Sequence, residues 1–328
     1  MALNRNKSSV VLDVKTPEGK AALTELLRGA DVFFHNVRMA GMERLGFGYD
    51  AVQDIRKDMI YVHCAGFGAG GAYESRQAYD DLIQAASGYA SLYSMRSPQQ
   101  APSYSPSLLA DKTTGLFAAY ATLAALLHRE RSGEGQFVQV PMLECFTFFN
   151  MVENLYGETF IPGNGKYAYT RSINPRRRPY PTLDGHIAIV PYNDAQWQTF
   201  FEIGGRPGVF EDPRFSTYQA RSAHTGELYG IIEEVAATKT TEDWLTLLDE
   251  ANIPVMRFNE MKDVTTDPHL ESVGFFQERI HETAGKYRSM RHPVHFSKSP
   301  ASVRSEPRQL GADTETTLAA LGLASDTL

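Results

Sequence analysis

Apolar positions in the first half of the chain alternate between two patterns. Short continuous runs over 9–13 (SVVLD), 31–35 (DVFFH), 59–65 (MIYVHCA) and 136–140 (QFVQV) have the length and composition of buried strands. Between them the spacing turns helical. Thr16 suits an N-cap and Pro17 the first helical position. Leu23, Leu26 and Leu27 give the apolar stripe of that helix, and Gly29 ends it. Shorter helices are predicted around Met42 and over 51–56. The longest helix is predicted over 112–131, with Leu116, Tyr120, Leu123 and Leu127 at helical spacing and Ser132-Gly133 as its stop. A further helix is predicted over 142–156. Apolar strands separated by helices predict an α/β fold whose parallel sheet is covered on both faces.

The pattern changes after residue 160. Residues 161–180 are rich in Gly, Tyr, Asn and Arg and read as a long loop, a length that is usually functional or flexible. Residues 182–189 (TLDGHIAI) predict a hairpin with an Asp-Gly turn, and helices follow near 197–201, 228–235 and 244–248. We expect a large domain over 1–180, a smaller α+β domain over 181–295, and a Pro- and Ser-rich tail over 296–328 with a last helix near 316–321. There is no internal repeat.

Composition narrows the picture. The 328 residues are 42% hydrophobic and 22% charged, as in an ordinary globular protein. The formal net charge of −7 argues against nucleic acid or an anionic membrane as a partner, but leaves room for an anionic ligand held by local Arg and Lys. Two isolated cysteines, Cys64 and Cys145, in apolar contexts read as buried free thiols in a reducing compartment, and a cytoplasmic location is expected. No apolar run reaches membrane-span length, and the start does not read as a signal peptide. His292 and His295 flank Pro293 without a Cys or acidic cluster, so no metal site is expected.

Residues 66–71 (GFGAGG) match G-x-G-x-x-G after a strand. No helical stripe follows, and no acidic residue stands some twenty positions on, so dinucleotide binding is not expected. The glycines can still let the backbone approach a ligand and aim N–H groups at it. Asp111 sits at the mouth of the long helix. Asp is a preferred N-cap, and its residue type alone fits that structural role. A carboxylate held ionised at a helix N-terminus can also attack a thioester. Tyr79-Asp80-Asp81 reads as a capping cluster. Lys15, Asn36, Arg38 and Arg44 stand near the ends of early elements; each reads singly as a surface group, and together they could hold a phosphate-bearing cofactor. Arg176, Arg177 and Arg178 in the long loop suit an anionic group or a solvated turn.

These residues resemble a known family as an ordered set of blocks. Residues 3–19 (LNRNKSSVVLDVKTPEG), 31–38 with 42–46, Gly66-Phe67-Gly68, Tyr79-Asp80, 126–136 (LLHRERSGEGQ) and 309–314 (QLGADT) are similar to blocks of the class III CoA-transferases, of the formyl-CoA transferase-like type. The resemblance implies a Rossmann-like large domain, a smaller domain and an interlocked homodimer. It implies that coenzyme A moves from an acyl-CoA thioester to a carboxylic acid, without a metal. Asp111 matches the nucleophilic aspartate. Leu12, Lys15, Asn36, Val37 and Arg44 match positions that contact CoA, and Phe67 and Tyr79 match the region near the pantetheine arm and thioester. A glycine loop would supply oxyanion N–H groups, with Gly163-Asn164-Gly165 as a weaker counterpart. Racemases of the same family resemble a Gly-His-Asp pattern where this chain has Ala78-Tyr79-Asp80, so the histidine base is absent and transfer is favoured. Family members also carry a strand–helix–strand unit before the block that starts at Leu3. Without it the sheet would have an exposed edge, which raises a non-catalytic or partner-dependent subunit as the alternative.

Overall fold

The computed structural model describes residues 1–323, so the end of the expected 296–328 tail lies outside the described residues. Along the chain the helices are α1 (Pro17–Gly29), α2 (Met39–Leu45), α3 (Tyr49–Ile55), α4 (Asp80–Ala86), α5 (Ser91–Arg96), α6 (Leu109–Ser132), α7 (Met142–Asn154), α8 (Asp194–Ile203), α9 (Tyr218–Ala223), α10 (Thr225–Ala236), α11 (Thr241–Glu250), α12 (Pro268–Ser272) and α13 (Thr314–Ala320). The strands are β1 (Val32–His35), β2 (Ile60–Ala65), β3 (Gln136–Pro141), β4 (Tyr180–Pro181), β5 (His186–Ile189), β6 (Val255–Arg257), β7 (Phe276–His281) and β8 (Gly285–Met290). They form two compact units. The first holds Met1–Ser87, Ser105–Phe149 and the chain from Thr265 on; the second holds Gly88–Tyr104 and Asn150–Val264. The sequence pattern predicts boundaries at 180 and 295. In the units, residues 150–180 group with the second and 265–295 with the first.

In the first unit β1, β2 and β3 make a parallel sheet, in the order β1-β2-β3, with Phe33 opposite Tyr61 opposite Phe137. Successive side chains of β2 leave opposite faces. Met59 and Tyr61 join Leu27, Met42, Phe47 and Val52 on the face covered by α1 to α3, while Ile60 and Val62 join Ala118, Ala125, Val140 and Cys145 on the face covered by α6 and α7. Both faces are therefore buried, as the continuous apolar runs require. Thr16 caps α1 by accepting from the Gly19 N–H at 3.0 Å.

Two sequence expectations change here. Residues 9–13 are extended but belong to no sheet, because their backbone bonds to the tail instead. The Ser9 N–H donates to Asp313 Oδ2 (2.8 Å), the Val11 N–H to Thr314 Oγ1 (3.0 Å), and the Asp313 N–H to the Ser9 carbonyl (3.0 Å). In α6 the buried positions are Ala110, Thr113, Thr114, Ala118 and Ala125, not the large apolar ones. Leu116, Tyr120, Leu123 and Leu127 point outward, with Leu116 72% exposed. Small residues let this helix lie close on the sheet, where a row of leucines would hold it off. The hairpin β7–β8 was not anticipated. Its Arg279 pairs with Glu306 at 2.6 Å and its buried His281 ring bonds the Pro307 carbonyl at 2.8 Å, which ties it to the tail.

In the second unit β4, β5 and β6 form an antiparallel sheet, and the predicted hairpin closes with the Thr182 N–H donating to the Gly185 carbonyl (2.9 Å). The predicted helices near 197–201, 228–235 and 244–248 lie inside α8, α10 and α11. A Thr240/Asp243 capping box starts α11. Trp244, Phe200, Phe201, Ile187, Ile232 and Leu248 make the core, and the Trp244 indole N–H donates to the Ala236 carbonyl at 2.8 Å. Replacing Trp244 by Ala should cost about 3–5 kcal/mol of unfolding free energy, read by denaturant titration, because the cavity it leaves is closed on all sides. A loss below about 1 kcal/mol would show that this core is not cooperative.

Candidate active site

Asp111 is the third residue of α6 rather than its N-cap; Leu108 takes that position and offers no capping side chain. The cap comes from another helix. Asp80, buried at the first position of α4, accepts the Asp111 backbone N–H on Oδ1 at 3.0 Å. Its Oδ2 accepts from the Gln84 amide at 2.5 Å, and Gln84 Oε1 accepts the Ser105 N–H at 2.8 Å. One buried carboxylate and one buried amide thus tie α4 to the segment that leads into α6 and fix the first turn that carries Asp111. The Asp111 side chain itself stays exposed. Its carboxyl is nonetheless pushed above the usual carboxylate range, first by the protein packed around it and second by the Asp80 charge. A carboxylate whose charge is poorly stabilised is a better nucleophile than a fully hydrated one.

The glycine segment 66–71 leaves β2 and runs through turns, with no helix behind it. Three successive N–H groups in it meet side-chain oxygens. Gly68 donates to Glu144 Oε1 (2.8 Å), Ala69 to Gln139 Oε1 (3.0 Å) and Gly70 to Glu74 Oε2 (2.9 Å). Residues 68–70 thus aim their N–H groups at side-chain oxygens, and the glycines also serve close approach. A Cβ on Gly66 would stand 2.4 Å from the Ala78 Cβ, and one on Gly68 would stand 2.4 Å from Glu144 Oε1. The first contact sets Gly66-Phe67 against Ala78-Tyr79, one residue from Asp80. Phe67, Tyr79 and Asp111 are thereby linked through Gly66, Ala78 and Asp80.

Phe67 also lines a cavity of about 580 Å³ at the carboxyl ends of the parallel strands, with Asn36, Arg38, Arg76, Tyr49 and Phe137. Ligands of open α/β sheets bind at this end. His63, also on its wall, is buried, and neither ring nitrogen has a hydrogen-bond partner. Its ring stacks on His35, with centroids 4.9 Å apart. Tyr61 donates its hydroxyl to the Phe47 carbonyl, so His35 Nε2–H donates to Tyr61, and His35 Nδ1 accepts the Val37 N–H. Burial, and then the neighbouring His63, depress His35 to about 4; burial depresses His63 as well. Both rings are neutral at pH 7.

Of the sequence candidates, Asn36 and Phe67 share this cavity. Leu12, Lys15, Val37, Arg44 and Tyr79 do not line it. Lys15 is exposed before α1, Arg44 donates to the Ala40 carbonyl in the last turn of α2, and Tyr79 is 66% exposed at the N-cap of α4. In the long loop, Arg178 pairs with Glu233 at 2.7 Å and Arg176 donates to the Gly226 carbonyl. Asn164 donates its N–H to the Gly157 carbonyl and Gly165 bonds Glu158. Cys64 and Cys145 are free, and burial raises both thiols, Cys145 to about 11. Among the described residues there is no cluster of three or more His, Cys, Asp or Glu that could hold a metal. No described helix is long and apolar enough to cross a membrane. Sequence reasoning saw Asp80 only as a local cap; its partner is 31 residues away, which no local signal reveals.

The family model for CoA-transferase family III matches residues 1–314. The chain belongs to CoA-transferase family III. It is 29% identical over 323 residues to a succinate–glutarate CoA-transferase of Agrobacterium fabrum, covering 98% of this chain and 80% of that one. It is 30% identical to a formyl-CoA:oxalate CoA-transferase of Afipia carboxidovorans, covering 95% and 78%. Among solved structures it is similar to Rv3272 from Mycobacterium tuberculosis (TM-score 0.81, 28% identity, 96% and 84% covered) and to a CAIB/BAIF family protein from Brucella suis (TM-score 0.78, 26% identity, 98% and 83% covered). The protein is thus a transferase of the CoA-dependent kind, and the α/β fold with its parallel sheet is the fold of those neighbours.

In this CoA-transferase the Asp111 carboxyl should titrate above the ordinary carboxylate value of about 3.9 when followed by carboxyl-carbon NMR. Because the folded pKa is raised, the ionised side chain weakens the fold as pH rises through it, so Asp111→Asn should not lower Tm at pH 7. Asp80→Asn should bring the Asp111 titration down by removing the neighbouring charge. An unmoved titration in that variant would assign the whole shift to packing.

Proposed function

We propose that the protein moves coenzyme A from an acyl-CoA thioester to a free carboxylic acid through covalent intermediates on Asp111. The observation that carries this reading is Asp111 itself. It is an exposed carboxyl on a helix turn fixed by a buried carboxylate, raised above its usual range, and reached through Gly66–Ala78 contact from a cavity that holds two of the candidate CoA contacts.

The steps balance without a net proton. The Asp111 carboxylate attacks the thioester carbonyl, and the CoA thiolate leaves, giving a mixed anhydride. The thiolate then attacks the Asp111 carbonyl and expels the donor acid as its carboxylate, giving an aspartyl-CoA thioester. The acceptor carboxylate attacks that carbonyl and frees the thiolate. The thiolate returns to the acceptor acyl carbonyl and regenerates the Asp111 carboxylate. Each step exchanges one activated acyl bond for another, which is what covalent catalysis provides. In this reading Asn36 and Phe67 hold CoA from the cavity, and Leu12, Lys15, Val37, Arg44 and Tyr79 contact it outside that cavity. The acceptors are small carboxylic acids, and the enzyme works in the cytoplasm.

Incubation with a panel of acyl-CoA thioesters, followed by peptide mass spectrometry, should find a CoA or acyl adduct on Asp111 and none in Asp111→Asn. An adduct on another residue, or transfer that persists in the variant, would reject the mechanism.

A homodimer belongs to the same proposal. Supporting it is the outward stripe of Leu116, Tyr120, Leu123 and Leu127 on α6, beside the exposed Phe148 of α7, an apolar face larger than isolated surface residues explain. Leu123→Arg should shift the light-scattering mass from two chains toward one. A dimer of unchanged stability would remove this stripe from the interface.

A further inference from the structure

The first unit holds another cavity, of about 700 Å³, that shares no lining residue with the one at Asn36 and Phe67. Its ionisable lining residues are Arg5, Arg279, Arg291, His292 and His295, with no carboxylate among them, in a chain of net charge −7. Arg279 is neutralised by Glu306 at 2.6 Å. The other two guanidiniums bond only neutral groups. Arg5 uses Nη1 alone, on Ser289 Oγ (2.6 Å) and the Met290 carbonyl (2.7 Å). Arg291 reaches only the His292 carbonyl from Nη1, at a long 3.5 Å, and its Nε is buried with no partner.

A guanidinium cannot shed its proton to escape such a setting. A half-buried cation that meets only neutral groups leaves charge unbalanced, and a bound anion would balance it. The free Nε–Nη2 edge of an arginine is a fork that matches two oxygens of one oxyanion. Arg5 keeps that fork free, and Nη2 of Arg291 is a further donor without a partner, so the pair suits a phosphoryl group, whose three oxygens can accept from both, better than a carboxylate with two. The volume lies within the roughly 300–1,000 Å³ of small-molecule sites, so there is room for the molecule that carries the phosphate.

We propose that this cavity binds a phosphorylated small molecule, with Arg5 and Arg291 holding its phosphoryl oxygens. The inference stands independently of the transfer mechanism. Two sources share this chemistry: the phosphates of coenzyme A, or a separate phosphorylated effector.

The test is calorimetric titration of the full chain with pyrophosphate, for wild type, Arg5→Gln and Arg291→Gln. Arg291→Gln removes only one long hydrogen bond, so it should fold as wild type, which its Tm verifies. Wild type should bind saturably, and affinity should fall about tenfold or more in each variant. Repeating the titration with CoA saturating separates the sources. Persistent pyrophosphate binding identifies a separate effector. Loss of binding, together with weaker CoA affinity in Arg291→Gln, identifies CoA's own phosphate. Equal pyrophosphate affinity in wild type and Arg291→Gln, or no saturable binding in wild type, overturns the proposal.

Discussion

The candidate site depends on one buried carboxylate. Asp80 accepts the Asp111 N–H with one oxygen and the Gln84 amide with the other, and Gln84 passes the constraint on to Ser105. A buried charge is tolerable only where its oxygens are bonded, so this network is held to one geometry. Two consequences follow from the same contact. The first turn of α6 is fixed, and the side chain of Asp111 feels a neighbouring negative charge that raises its affinity for a proton. Positioning and activation of the candidate nucleophile are therefore two effects of one interaction.

Close approach does the rest of the assembly. Gly66 touches Ala78 where no side chain would fit, and the small face of α6 lies against β2 and β3. Gly135 makes the same kind of contact at the start of β3, where a Cβ would stand 2.3 Å from the Met59 carbonyl oxygen. Dense packing at such points leaves large apolar side chains of α6 with nowhere to go but outward. The outward stripe is thus a consequence of how tightly the helix sits on the sheet.

The Asn36–Phe67 cavity and the Arg5–Arg291 cavity differ in how their polar groups are balanced. Around Asn36 and Phe67 the cations Arg38 and Arg76 stand among the carboxylates Glu43 and Glu74, with aromatic walls. Around Arg5 and Arg291 positive charge is left without a matching carboxylate. The first setting suits a long mixed ligand, the second a molecule that carries an anionic group.

The sequence by itself determined the local elements and the family. Continuous apolar runs, Thr16-Pro17 and Ser132-Gly133 mark β2, α1 and the end of α6, because strand burial, capping and left-handed termini depend on neighbouring residues alone. It also singled out Asp111, Asn36 and Phe67, together with Leu12, Lys15, Val37, Arg44 and Tyr79, through an ordered resemblance rather than through their chemistry. Tertiary structure decided what those residues touch. It moved 9–13 from the sheet to the tail, turned the leucine stripe outward, filled the N–H groups of 68–70 with side-chain oxygens, and made Asp80 the cap of a helix 31 residues away. Each of these is a competition among distant partners for one hydrogen bond or one packed surface, and periodicity along the chain carries no information about which partner wins.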